Sequence, residues 1–123
     1  YEFPAGLVET GEAMTDAAVR EFHEETGLHL KVIPADDMYT KPRFTTVGMT
    51  DEACGMVYGY ASGVPDNRFE ESSEDIQVVL ADKKEVRRIL KEENVAMMCA
   101  YMLLHFLKSE GDPLGFVEMQ EKR

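Results

Sequence analysis

The sequence predicts a single α/β domain, and three observations lead to that expectation. Its 123 residues suffice for one core and fall short of the size at which a second usually appears. Strand-like and helix-like patterns follow one another as β–loop–α–β…β–β–α–α, with strand runs too irregular for a doubly wound alternation. No GxGxxG pattern, internal repeat or low-complexity tract occurs.

Tyr1-Glu2-Phe3-Pro4 reads as a strand leading into a glycine-bearing loop, residues 5–12. Because the chain starts at Tyr1 rather than Met, directly in that strand, an N-terminal portion with further strands is expected to be missing. A helix follows over residues 14–26, poorly capped by Ala13 and stopped by Gly27, a residue suited to the left-handed C-terminal position. Residues 28–33 alternate apolar and polar up to Pro34 and read as a strand. Residues 38–40 and 44–47 are strand candidates around Pro42. Residues 53–61 form another, with Gly55 and Gly59 allowing bulges or close backbone approach. After a polar loop over residues 63–73, residues 76–80 return to strand. Asp82-Lys83-Lys84-Glu85 has the pattern of a capping box opening a helix to Glu92. Asn94 is expected to cap a last helix, residues 95–108, ended by Gly111 and Pro113. Its Met97, Met98, Tyr101, Leu104 and Leu107 are expected in the core or a dimer interface.

With 24 acidic and 13 basic residues the net charge is −11, which argues against wrapping nucleic acid. A small phosphorylated substrate stays open, because bound divalent cations reverse the local sign. No apolar run approaches a membrane span and no signal-peptide pattern opens the chain, so a cytoplasmic address is expected. Cys54 and Cys99 make neither a disulfide framework nor a CxxC pair, and both read as small core residues. His23, His29 and His105 share no ligand spacing.

On a helical wheel Arg20, Glu21, Glu24 and Glu25 share one face with Ala17, while Ala18, Val19 and Phe22 point the other way. The three glutamates stand at i, i+3 and i+4, so their carboxylates are neighbours. Two like charges about 6 Å apart at an effective dielectric near 20 repel by roughly 3 kcal/mol before solvent relaxes it. They also crowd the helix pole that prefers cations. A solvated glutamate face, with Arg20 paired to Glu24, explains the spacing about as well as a cation site does. If a cation belongs there, oxygen ligands without His or Cys suit Mg²⁺ or Mn²⁺.

The surrounding residues favour the cation. From Gly6, five residues lead to Glu12 and seven more to Arg20-Glu21, followed by Phe22, His23, Glu24-Glu25, Thr26, Gly27 and Leu28. This resembles the Nudix box, Gly-x5-Glu-x7-Arg-Glu-U-x-Glu-Glu-x-Gly-U with U bulky and apolar, at every specified position. Seven fixed identities coincide by chance roughly once in 10⁸ to 10⁹ windows. Pro4-Ala5, Gly48-Met49-Thr50-Asp51-Glu52 and Glu74-Asp75-Ile76 look similar to the branch that hydrolyses ADP-ribose and related nucleoside diphosphate sugars.

The resemblance implies an α/β/α sandwich with a mixed sheet, in which Phe22 and Leu28 are core. It implies Mg²⁺, or Mn²⁺, held by Glu21, Glu24, Glu25 and the Ala5 carbonyl, with Glu12 and Arg20 orienting those carboxylates. It further implies hydrolysis of a diphosphate bridge to a nucleoside monophosphate and a sugar phosphate. In that branch the general base comes from an acidic loop before a late strand. Glu71 is the first choice here, then Glu70 and Glu74, although Ser72-Ser73 interrupts the acidic run that relatives carry. Gly6 lets the loop approach the site, and the turn carrying Gly48 and Glu52 would lie near the substrate. Arg43 would contact a phosphate there or be an exposed loop arginine. A homodimer is implied for the intact protein. The alternative substrates are nucleoside triphosphates or dinucleotides. A third possibility is a non-catalytic ADP-ribose-sensing module, but such modules tend to lose box carboxylates that this chain keeps.

Overall fold

A computed structural model describes residues 1–66 and 76–118. In chain order the elements are α1 (Met14–Thr26), β1 (His29–Val32), α2 (Asp37–Thr40), β2 (Arg43–Phe44), β3 (Ala53–Cys54), β4 (Gly59–Ser62), α3 (Lys83–Glu92), α4 (Met97–Lys108) and a 3₁₀ turn, Gly115–Val117. The fold is α/β, as the sequence predicts. Among the described residues the strands form two antiparallel ribbons, β1 with β4 and β2 with β3. The parallel pairing that a mixed sheet requires is not among them.

α1 forms over the expected residues. Ala13 gives it no side-chain cap, and Gly27 ends it at φ 75° with its N–H donating to the His23 carbonyl. The Thr26 hydroxyl donates to the Phe22 carbonyl at 2.6 Å and accepts the Leu28 N–H at 3.1 Å, locking the turn into β1. β1 then pairs with β4 in the register His29↔Ser62 to Val32↔Gly59. That pairing carries the chain after Ser62 back to the end of α1, where the Asp66 N–H donates to the Thr26 carbonyl.

Several strand expectations are corrected. Residues 1–4 are not a strand: the Tyr1 ammonium donates to the Asn94 carbonyl, and the Tyr1 carbonyl accepts the Ala96 N–H. Asn94 does not cap α4, which starts at Met97 behind Ala96 without a side-chain cap and ends, as expected, at Lys108. Residues 38–40 belong to α2, because Asp36 accepts the Met38 N–H and caps a helical turn. The strand expected over residues 44–47 shrinks to Arg43–Phe44. The one expected over residues 53–61 breaks between β3 and β4, where Gly55 backs onto Met14 and the Met56 N–H donates to the Thr40 carbonyl. Residues 76–80 take no regular structure. At α3 the Asp82 carboxylate accepts the Glu85 N–H as expected, but Glu85 directs its own carboxylate to Arg88, so the capping box is half formed.

Among the described residues the buried apolar side chains are Ala17, Leu28, Tyr58, Val86, Ile89, Cys99 and Val117. Around Tyr58, the Tyr39, His105 and Phe116 rings tie α2, α4 and the 3₁₀ turn together. Cys54 is only half-buried, its thiol on the Glu52 carboxylate, so it is no core residue. On α1 the core expectation for Phe22 is met only in part, and Leu28 behind the helix is buried as expected. Ala17 and Glu25 are buried, whereas Val19 is exposed and Phe22 half-buried, because the segment before α1 lies against the glutamate face. No helix among the described residues is long and apolar enough to cross a membrane.

Candidate active site

The site is built where the loop over residues 5–12 folds back on α1, and Arg20 joins the two. Its guanidinium grips Glu12 with a fork, Nε to Oε2 at 3.0 Å and Nη2 to Oε1 at 2.9 Å. Nη2 also donates to the Leu7 carbonyl at 3.1 Å, so loop backbone and loop side chain hang on one residue. Nη1 donates to Glu21 Oε1 at 2.8 Å and lies 3.6 Å from Glu24 Oε2, one helical turn on. With Glu9 Oε1 at 3.9 Å, this single cation serves four carboxylates. Bonding to Glu12 and Glu21 pushes the Arg20 pKa far up. The same fork, helped by the Glu9 N–H, holds Glu12 below the ordinary carboxylate range and keeps it ionised.

Two further contacts bring the loop backbone onto the glutamates. The Ala5 N–H donates to Glu25 Oε2 at 3.1 Å, and Glu25 is only 7% exposed. Gly6 faces Glu21 so closely that a Cβ there would fall 2.5 Å from Oε2 and nearer still to Cγ and Cδ. A side chain at this position would push the Glu21 carboxylate away from the loop.

Glu12, Arg20, Glu21, Glu24, Glu25, Ala5 and Gly6 are thus brought together. The donor set, carboxylates with neighbouring backbone, fits a hard divalent ion in kind. As they stand, however, no three His, Cys, Asp or Glu side chains among the described residues converge closely enough to hold one. The physical reason is visible: Arg20 draws Glu21 and Glu24 toward itself, and the Ala5 N–H holds Glu25.

The other expected site residues lie elsewhere. Arg43 is on β2 and donates to the Met38 carbonyl. Gly48, at φ 88°, sits in the turn between β2 and β3, and Glu52 accepts from Thr45 and Cys54 across that ribbon. None of these bonds runs to the glutamates of α1. Glu70, Glu71 and Glu74 lie outside the described residues. Sequence reasoning missed the Leu7 carbonyl and Glu9 as partners of Arg20. A backbone acceptor leaves no mark in residue identity, and Glu9 reads as one more surface acid.

A glutamate-faced helix packed under a glycine loop in an α/β domain is thus the centre of the site. Residues 1–104 match the NUDIX domain family, and the chain belongs to it. Over 88 residues it is 36% identical to the Caenorhabditis elegans protein named "Putative nudix hydrolase 2", an alignment spanning 67% of this chain and 38% of the relative. The matched part of the chain thus spans well under half the length of that protein. No solved structure matches. Nudix enzymes are pyrophosphohydrolases of nucleotide-derived small molecules and generally use a divalent metal.

Proposed function

We propose that this domain catalyses Mg²⁺-dependent hydrolysis of the diphosphate linkage of ADP-ribose or a related nucleoside diphosphate sugar, giving a nucleoside monophosphate and a sugar phosphate. One observation carries the reading: three carboxylates crowd the negative pole of α1, and one of them, Glu25, is buried against the backbone of a glycine loop. Mutual repulsion and the helix dipole both disfavour that placement unless positive charge is supplied. Arg20 supplies one unit, already shared among four carboxylates.

Glu21, Glu24, Glu25 and the Ala5 carbonyl would hold the ion. When bound, it neutralises phosphate charge and lowers the pKa of an attacking water. The protein's own contribution is orientation. Glu12 anchors Arg20, Arg20 steers Glu21 and Glu24, and Gly6 keeps the loop backbone within reach of Glu21. Proton removal from the water is assigned to Glu71, with Glu70 and Glu74 as alternatives. The sugar-nucleotide class rests on the likeness of the Gly48–Glu52 turn and of Glu74-Asp75-Ile76 to that branch. A homodimer and a cytoplasmic address belong to the same proposal, and the dimer draws support from the exposed Met97, Tyr101 and Leu104 of α4.

The test is product analysis with and without Mg²⁺ on ADP-ribose, a deoxynucleoside triphosphate and a dinucleoside polyphosphate. Release of AMP and ribose 5-phosphate from ADP-ribose, abolished by a chelator, is the expected result. Preferential cleavage of the triphosphate would overturn the substrate assignment, and cleavage of none would overturn the activity.

A further inference from the structure

We infer that Asp66, outside the box, is a positioning residue for the α1 carboxylates and acts through its backbone N–H; this rests on the functional reading above. The Thr26 carbonyl is among the last-turn acceptors that no helical N–H can reach. Asp66 supplies the missing donor at 2.7 Å. Gly27 makes the approach possible twice over. Its φ of 75° turns the chain out of α1, and a Cβ there would fall 2.5 Å from the Asp66 carbonyl oxygen and 2.7 Å from its nitrogen. The register of β1 on β4 delivers the segment after Ser62 to this end of the helix.

The consequence reaches Glu24 and Glu25, which immediately precede Thr26. An N–H dipole placed on the final carbonyl offsets the negative pole where those acids crowd. Closing the last turn from outside also fixes its rotation, and with it the direction in which the two carboxylates point. Thr26 is 4% exposed and bonded on both sides by its hydroxyl, so the closure is transmitted through a rigid joint.

Asp66→Pro removes the N–H, and Asp66→Asn keeps it. We expect Asp66→Pro to lose about tenfold in kcat and in Mn²⁺ affinity, the scale seen when groups that orient metal ligands are removed. KM at saturating metal should stay within twofold, and Asp66→Asn should stay close to the unaltered chain in every readout. Mn²⁺ titration followed by electron paramagnetic resonance, steady-state kinetics and thermal unfolding read these. A merely structural joint would lower the melting temperature and leave kcat and Mn²⁺ affinity per folded molecule unchanged, which overturns the inference. Should Asp66→Pro not fold, hydrogen exchange at the Asp66 amide of the unaltered chain decides. Severalfold slower exchange on adding Mn²⁺ supports the role, and equal rates with and without Mn²⁺ overturn it. An unaltered chain that binds no Mn²⁺ and cleaves no diphosphate overturns the functional reading itself, and this inference with it.

Discussion

Replacing Gly6 by alanine asks whether the contact between loop and helix belongs to the working site. The new Cβ would fall 2.5 Å from Glu21 Oε2, and closer to the atoms behind it. Carbon and oxygen without a bond between them need about 3.5 Å, so the Glu21 carboxylate must retreat by on the order of 1 Å. Gly6 is not among the glycines at positive φ, so alanine adds no backbone strain. The atoms in its way are the far end of a flexible side chain. Overpacking should therefore cost only about 1 kcal/mol of stability, partly offset by the stiffer unfolded chain. Catalysis should lose far more, because a misplacement of about 1 Å costs on the order of 100-fold in rate. The assay is kcat on the best diphosphate substrate at saturating Mg²⁺, beside a thermal melt of the same sample. Combining Gly6→Ala with Glu21→Gln should add little to Glu21→Gln alone, since both act through one carboxylate. Turnover within twofold of the unaltered chain would refute the reasoning, because Glu21 could then sit 1 Å away without consequence.

Three further outcomes follow from the same geometry. Glu25→Gln should lower turnover by orders of magnitude yet leave the metal-free melting temperature unchanged or slightly higher, since the amide oxygen can still accept the Ala5 N–H while one crowded charge is gone; parent-like kcat would remove Glu25 from the site. In acid, the depressed pKa of Glu12 has a definite sign: its stabilisation is complete above the unfolded carboxylate range near pH 4 and is lost as pH falls through the lower folded value. Melting temperatures between pH 7 and pH 3 should therefore fall more steeply for the unaltered chain than for Arg20→Lys, which cannot form the fork on Glu12; parallel curves would contradict this. Asp82→Ala should cost about 1 kcal/mol by urea unfolding through the lost cap of α3, with kcat unchanged; an unchanged urea midpoint would show that the cap does not hold α3.

What could be read from sequence is what neighbours along the chain determine. α1 and its Gly27 exit, and α3 behind Asp82, follow from residues within a turn of one another, and they stand where expected. The errors fall where a distant or competing partner decides. Residues 38–40 have β-tolerant side chains, but the Asp36 carboxylate reaches the Met38 N–H first. Residues 53–61 alternate well enough for one strand, but Gly55 is pressed against Met14 of α1, some forty residues earlier in the chain. Asn94 is a good cap by type, yet the Ala96 N–H is taken by the Tyr1 carbonyl from the far end of the chain and α4 begins at Met97. Long-range backbone partners of this kind have no signature in residue identity.

The candidate site shows the same division with a sharper consequence. Composition and spacing marked the acids and Arg20, but the wheel left a solvated glutamate face and a cation site equally open. In the structure the glutamate face meets the loop before α1. Arg20 can satisfy its fork on Glu12, its bond to Leu7 and its reach to Glu21 only if the glutamate face meets the loop. Its hold is uneven, with two nitrogens on Glu12 and a single one shared between Glu21 and Glu24. Glu12 therefore carries most of the hold on Arg20, and through Arg20 and the Leu7 carbonyl it keeps the loop on α1, while Glu21 and Glu24 are the less firmly held pair.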